Sequence, residues 1–219
     1  MSDIRFDKKG ISTVLKEFTL KVPLNQRSYA WKEEHVADLF DDIEGAIDRR
    51  RGDDSEYFLG TMVFTRGENG THEVSDGQQR LATTFVLLAA IRDKLLEYKD
   101  QDEFVTTIER DHLQSYVVEL NDTVPKLRLN VEDNEYFVSR IASRPGDAKR
   151  KVKPSKPSHK RIDTAAKLAT ARVCNIVNTP RTENQIERLK QWYTFLRDNA
   201  TVILVIVSDP GKAFIIFSS

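Results

Sequence analysis

Residues 74–84 read Val-Ser-Asp-Gly-Gln-Gln-Arg-Leu-Ala-Thr-Thr, and the reading of this stretch decides the fold. His72 to Ser75 is an apolar, strand-like approach, Gly77 permits a sharp turn, and an apolar-periodic helix begins near Gln78. Two amides and a guanidinium are thereby concentrated at a helix N-terminus. Unpaired backbone N–H groups and the positive end of the helix dipole make such a place attractive to anions, phosphate above all. Arg80 adds a planar donor fork, and Gln78 and Gln79 can each donate and accept. The same residues would equally serve a strand-turn-helix corner whose polar side chains only cap the helix.

Working outward, Tyr57 to Phe64 is a buried strand, Arg66 to Gly70 a polar turn, and His72 to Val74 a second strand, so a hairpin feeds the Asp76 turn. The helix after it carries Leu81, Phe85, Leu88 and Leu95 on one stripe and is apolar through Val86 to Ile91, which makes it central to the core. Upstream, Thr13 to Phe18 is a short helix and Leu20 to Pro23 a strand, followed by a polar-aromatic loop, Leu24 to Trp31. Val36, Leu39, Phe40, Ile43 and Ile47 then mark an amphipathic helix. It ends in Arg49-Arg50-Arg51-Gly52, where the cations complement the dipole rather than form a nucleic-acid patch.

From about Gln101 the character becomes helical. The pattern predicts helices over Phe104–Leu120, Asp133–Arg144, Arg161–Val177 and Glu183–Asn199, a short extended piece at Leu127–Leu129, and a β-branched strand at Thr201–Val207. Pro145 to Ser158, rich in Lys, Pro and Ser, reads as an exposed, mobile loop whose charge marks a solvated linker ahead of a nucleic-acid contact. Lys212 to Ser219 starts another apolar helix and stops, as expected of a fragment or a chain cut short.

Composition sets limits. The 219 residues hold 34 Lys+Arg against 34 Asp+Glu, so no global field draws the chain to nucleic acid and any such contact needs a local patch. The one cysteine, Cys174, excludes an internal disulfide and a cysteine-based zinc site, fits a reducing compartment, and reads as buried filler. His35, His72, His112 and His159 are scattered without metal-ligand spacing. No apolar run approaches the length needed to cross a membrane, and the N-terminus, charged from Asp3 onward, lacks a signal-peptide core.

Three stretches, Val22 to Trp31, Phe58 to Val63 and Val74 to Thr84, occur in an order and spacing that resembles the N-terminal domain of GmrSD-type modification-dependent restriction systems, a family marked by the Asp-Gly-Gln-Gln-Arg signature. Leu127-Arg128-Leu129 with Asp133, and Ser158 to Arg161, resemble its helical region, so the similarity spans nearly the whole chain. The resemblance implies an α+β, ParB/sulfiredoxin-like small mixed sheet with helices over residues 1–100, followed by a helical extension over 101–219. It implies binding of a nucleoside triphosphate and Mg²⁺, with hydrolysis, in a cytoplasmic sensor of modified DNA that controls an HNH-type nuclease domain or partner chain. Carried over, Asp76, Gly77, Gln78, Gln79 and Arg80 line the phosphate pocket, with Gln26, Arg27 and Tyr29 approaching from the first loop.

In that reading Asp76 holds the metal and Gln78 or Gln79 orients a water, although an acidic residue there could instead clamp Arg27 or cap the helix. Trp31 reads as a core anchor or a stacking platform, and Phe58 and Gly60 as packing under the pocket. Asn25, Ser75 and Ala82 depart from the residues usual in the family without removing a pocket residue. No His-Asn-His nuclease motif occurs, so the chain alone is expected not to cleave DNA. Two other functions fit the same residues: a nucleotide-switched binding module without turnover, and a truncated remnant.

Overall fold

The computed structural model describes residues 4–49, 56–68, 70–117, 121–178 and 185–208. Its centre is a six-stranded mixed sheet in the order β1-β8-β3-β4-β2-β7. The strands are β1 (Ile4–Gly10), β2 (Leu20–Lys21), β3 (Tyr57–Arg66), β4 (His72–Asp76), β7 (Leu127–Arg128) and β8 (Ala200–Val207). β3 and β4 form the antiparallel hairpin expected from sequence, and β1 pairs antiparallel with β8. β8 lies parallel to β3, and β2 lies parallel to both β4 and β7. Strands from both sides of residue 100 therefore share one sheet. β8 reaches an interior position because seven of its eight residues are apolar and can be covered on both faces.

Helix α3 (Gln78–Leu95) is the buried axis of the molecule. Leu81, Phe85, Leu88 and Leu95 are fully buried as the stripe requires, but Val86, Leu87, Ala89 and Ile91 are buried too. A helix apolar on every side has to be surrounded. Here α1 (Ile11–Glu17), α4 (Asp102–Ile108), α6 (Pro157–Asn178) and α7 (Gln185–Asp198) all pack on it. Helix α2 (Glu33–Arg49) buries the predicted Val36, Leu39, Phe40, Ile43 and Ile47 and pairs its outer acids with the neighbouring helices, Asp41 and Glu44 with Arg172, and Asp48 with Arg188. Arg50 to Gly52, the rest of its basic ending, and Lys212 to Ser219 lie outside the described residues.

Three predicted helices differ from expectation. The helix predicted over Phe104–Leu120 stops early: α4 ends at Ile108, a wide π turn covers Glu109–Leu113, and the chain then extends as β5 (Gln114–Val117) against β6 (Asp122–Pro125). Tyr116 and Val117 suit a strand as well as a helix, and the antiparallel partner decides the outcome. The predicted Asp133–Arg144 helix is α5 (Asn134–Phe137) widened into a π turn at Val138–Ala142. Fully buried Arg92 explains that ending, because its guanidinium donates to the carbonyls of Ile141, Ala142 and Ser143 and pairs with Glu109. α6 begins at Pro157, four residues before Arg161, since proline fits the first helical position.

Candidate functional site

The Asp76 corner takes the predicted shape. β4 ends at Asp76, Gly77 adopts φ +91°, and α3 starts at Gln78. A Cβ on Gly77 would lie 2.7 Å from Met62 Cγ, so both backbone conformation and packing require glycine. No side chain caps α3. Its first amides after Gly77 therefore have no partner within the helix, and Leu81 N–H is the first to return to Gly77 O.

The loop before α2 forms the opposite wall, and glutamines hold it there. Gln26 donates to Ser75 O at 3.0 Å, and Gln78 donates to Arg27 O at 3.3 Å. Gln79 is buried with both ends of its amide engaged: Oε1 accepts from Ala30 N–H at 2.7 Å and Trp31 N–H at 3.3 Å, and Nε2 donates to Ser28 O at 3.4 Å. Between wall and helix lies a cleft of ≈ 380 Å³ lined by Gln26, Arg27, Trp31, Ser75 and Asp76 to Arg80.

The cleft's two arginines differ. Arg80 donates to the carbonyls of Leu59 and Thr61, on either side of Gly60, where the β3–β8 register shifts. Gly60 has φ +100°, and a Cβ there would collide with the Arg80 guanidinium. Arg80 is thus a clamp on a β-bulge. Arg27 is exposed and forms no ion pair among the described residues. Asp76 neither clamps Arg27 nor caps α3; its half-exposed carboxylate sits 3.9 Å from Arg80 Nη2.

Tyr29 lies behind the cleft wall. Its ring is buried, its hydroxyl shares a 2.8 Å hydrogen bond with Thr83 Oγ1, and burial pushes the phenol up to about 12. Trp31 is half-buried at the edge of the core, lines the cleft, and stacks on His35 at 6.1 Å and 22°.

A second set of residues, which the sequence ties to the helical region and not to the cleft, fixes the loop from behind. The fully buried Asp133 carboxylate accepts from Tyr29 N–H at 2.7 Å and from Ser158 Oγ at 2.5 Å. Asn130 donates to Gln26 O at 3.2 Å and Ser28 Oγ at 3.3 Å. His159, next to Ser158, donates from Nε2 to Glu132 O at 3.0 Å and stacks face to face on Tyr136 at 4.3 Å. In sequence, Asp133 is the first residue of a predicted helix and carries no sign of a tie to the loop. Its distant partners, Tyr29 and Ser158, leave no local pattern.

The arrangement can bind an anion. The open α3 N-terminus and Arg27 provide positive charge, Asp76 provides one acid, and Trp31 provides a flat apolar face. Among the described residues no group of three or more His, Cys, Asp or Glu could hold a metal unaided, and no helix is long and apolar enough to cross a membrane. No curated protein matches the chain. The family profile described as "GmrSD restriction endonuclease, N-terminal domain" matches residues 6–219, nearly the whole chain, and the chain therefore belongs to that family.

Proposed function

We propose that the cleft between the 26–31 loop and the N-terminus of α3 binds a nucleoside triphosphate, as the nucleotide-controlled part of a restriction system whose nuclease lies in another domain or partner chain. One observation supports this above the others: the uncapped start of an 18-residue helix faces the exposed, unpaired Arg27 across the cleft. Its ≈ 380 Å³ falls within the roughly 300–1,000 Å³ of small-molecule pockets. Phosphates take the amides of Gln78 to Arg80 and the Arg27 guanidinium, and the base lies toward Trp31.

The donor set fits Mg²⁺ of the kind shared with phosphates. Mg²⁺ is commonly held by one or two carboxylates together with substrate oxygens, and Asp76 is the cleft's carboxylate. When bound, the ion offsets phosphate charge. Arg80 Nη2 lies 3.9 Å from the Asp76 carboxylate, while its donors hold the strand carbonyls beneath.

Hydrolysis at this site would draw on Gln78. Its Oε1 has no partner among the described residues and can accept from a water, whereas both ends of the Gln79 amide are engaged. Control of restriction by the modification state of DNA completes the reading.

Calorimetric titration of the chain with each of the four nucleoside triphosphates, with and without Mg²⁺, tests it. Micromolar, Mg²⁺-dependent binding weakened about tenfold or more by Arg27→Ala is expected. A folded chain that binds none of the four contradicts it. Single-turnover assays with Gln78→Ala separate turnover from binding.

A further inference from the structure

Residues 149–161 carry seven lysines and arginines and no acid, in a chain whose charges balance overall. The structure divides the seven into two roles. Arg150 pairs with Asp93 and donates to Ser143 O at 3.0 Å, and Lys156 pairs with Glu132. These two, with the tight turn at Ala148–Lys151 and the start of α6 at Pro157, fasten the segment against α3 and the residues before α5. The other five, Lys149, Lys151, Lys153, Lys160 and Arg161, are exposed and form no ion pair among the described residues.

The cations that follow on α6 and α7 are paired instead. Farther along α6 and on α7, Lys167 meets Asp163, Arg172 meets Asp41 and Glu44, and Arg188 meets Asp48. The first turn of α6, by contrast, holds no acid, and Lys160 and Arg161 add their charge to the positive end of its dipole. Fixed, unpaired like charges repel one another, and a polyanion relieves that repulsion.

We propose that residues 149–161 form a ledge that contacts the phosphate backbone of duplex DNA without reading its sequence. Four of the five free cations are lysines, compact point charges suited to phosphates, and the fifth is Arg161. The segment offers no stacking platform for unpaired bases: its one ring, His159, is buried and already stacked on Tyr136. Membership of a restriction family makes DNA the relevant polyanion. The ledge does not depend on the nucleotide reading of the cleft.

The test is fluorescence anisotropy of a labelled 30-base-pair duplex across a salt series, without nucleotide. The whole chain is compared with a variant replacing Lys149, Lys151, Lys153, Lys160 and Arg161 by Gln, and with a charge-matched variant replacing Arg5, Lys8, Lys16, Lys99 and Lys167 by Gln. Five phosphate contacts give a slope of log K against log salt of about −4.5. The ledge variant is expected to bring that slope close to zero and to weaken low-salt binding at least tenfold, while the matched variant stays within about twofold. Five single Gln variants, each lowering the slope by about 0.9, keep the test available should the combined variant not fold. The proposal is overturned if ledge and matched variants bind alike, if the unaltered chain binds no duplex at 50 mM salt, or if single strands are preferred.

Discussion

The Asp76 corner and the 149–161 ledge are both rich in polar groups, yet the corner directs most of its groups inward and the ledge directs most of them outward. At the corner, Gln79 and Arg80 hold backbone carbonyls and amides, Gln78 is half engaged, and Arg27 and Asp76 remain open toward the cleft. On the ledge, Arg150 and Lys156 are tethers and five cations face solvent. A polar residue's role follows from whether its donors are already satisfied, and composition does not reveal that. Engaged groups should govern stability and open ones binding.

Gly60→Ala is the strongest attempt to break this division. The φ of +100° and the collision with the Arg80 guanidinium should together cost about 4 kcal/mol, roughly 10 °C in melting temperature. A variant that melts like the parent would show that Arg80 is not the bulge clamp. Next comes Asp133→Ala. It leaves Tyr29 N–H and Ser158 Oγ without their acceptor, for about 3 kcal/mol in denaturant unfolding. It should also weaken nucleotide binding by loosening the loop. Unchanged stability with weaker binding would instead place Asp133 in direct contact with ligand.

An engaged group remote from both regions gives a pH signature. His112 is fully buried between Ser12 O (2.9 Å) and the Tyr193 hydroxyl (3.0 Å), and burial pushes its ring down to about 4, with neighbouring Asp111 opposing the shift. In the unfolded chain the ring protonates near the ordinary value of about 6.5. Between these values the unfolded state binds more protons, so the stability is complete above about pH 6.5 and declines as pH falls toward 4, by about 3 kcal/mol in all. His72, lowered by burial and by Arg66, adds a slope of the same sign. Chemical denaturation of His112→Gln between pH 7 and 5 should give a flatter profile than the parent. An equal slope in both would assign the titration elsewhere.

The strand-turn-helix corner could be read from sequence because its signals are local: glycine at a left-handed turn, a β-rich approach and an apolar-periodic helix. The amphipathic α2 was equally readable, since Val36 to Ile47 repeat at helical spacing. β1 was not anticipated, because Arg5, Asp7, Lys8 and Lys9 give it little apolar character and its place depends on pairing with β8. β5 was hidden for a related reason, its partner lying beyond the π turn. The residues named from sequence, Tyr29 apart, line one cleft, but sequence could not separate Arg27 from Arg80, because that difference lies in two carbonyl oxygens of β3. The segment expected to be a mobile linker is exposed as anticipated, yet Arg150 and Lys156 fasten it through Asp93 and Glu132, acids far away in sequence.

The smallest expected effect on stability is also the most telling. Arg27→Ala and Arg80→Ala should be compared side by side in thermal melting and in nucleotide titration with Mg²⁺. Arg27→Ala is expected to keep the parent's stability within about 0.5 kcal/mol while losing about tenfold or more in nucleotide affinity. Arg80→Ala is expected to lose about 2–3 kcal/mol of stability, as two hydrogen bonds from a charged group to strand carbonyls disappear. If Arg27→Ala binds nucleotide as the parent does, the open arginine is not a phosphate ligand and the nucleotide site assigned to this cleft is wrong.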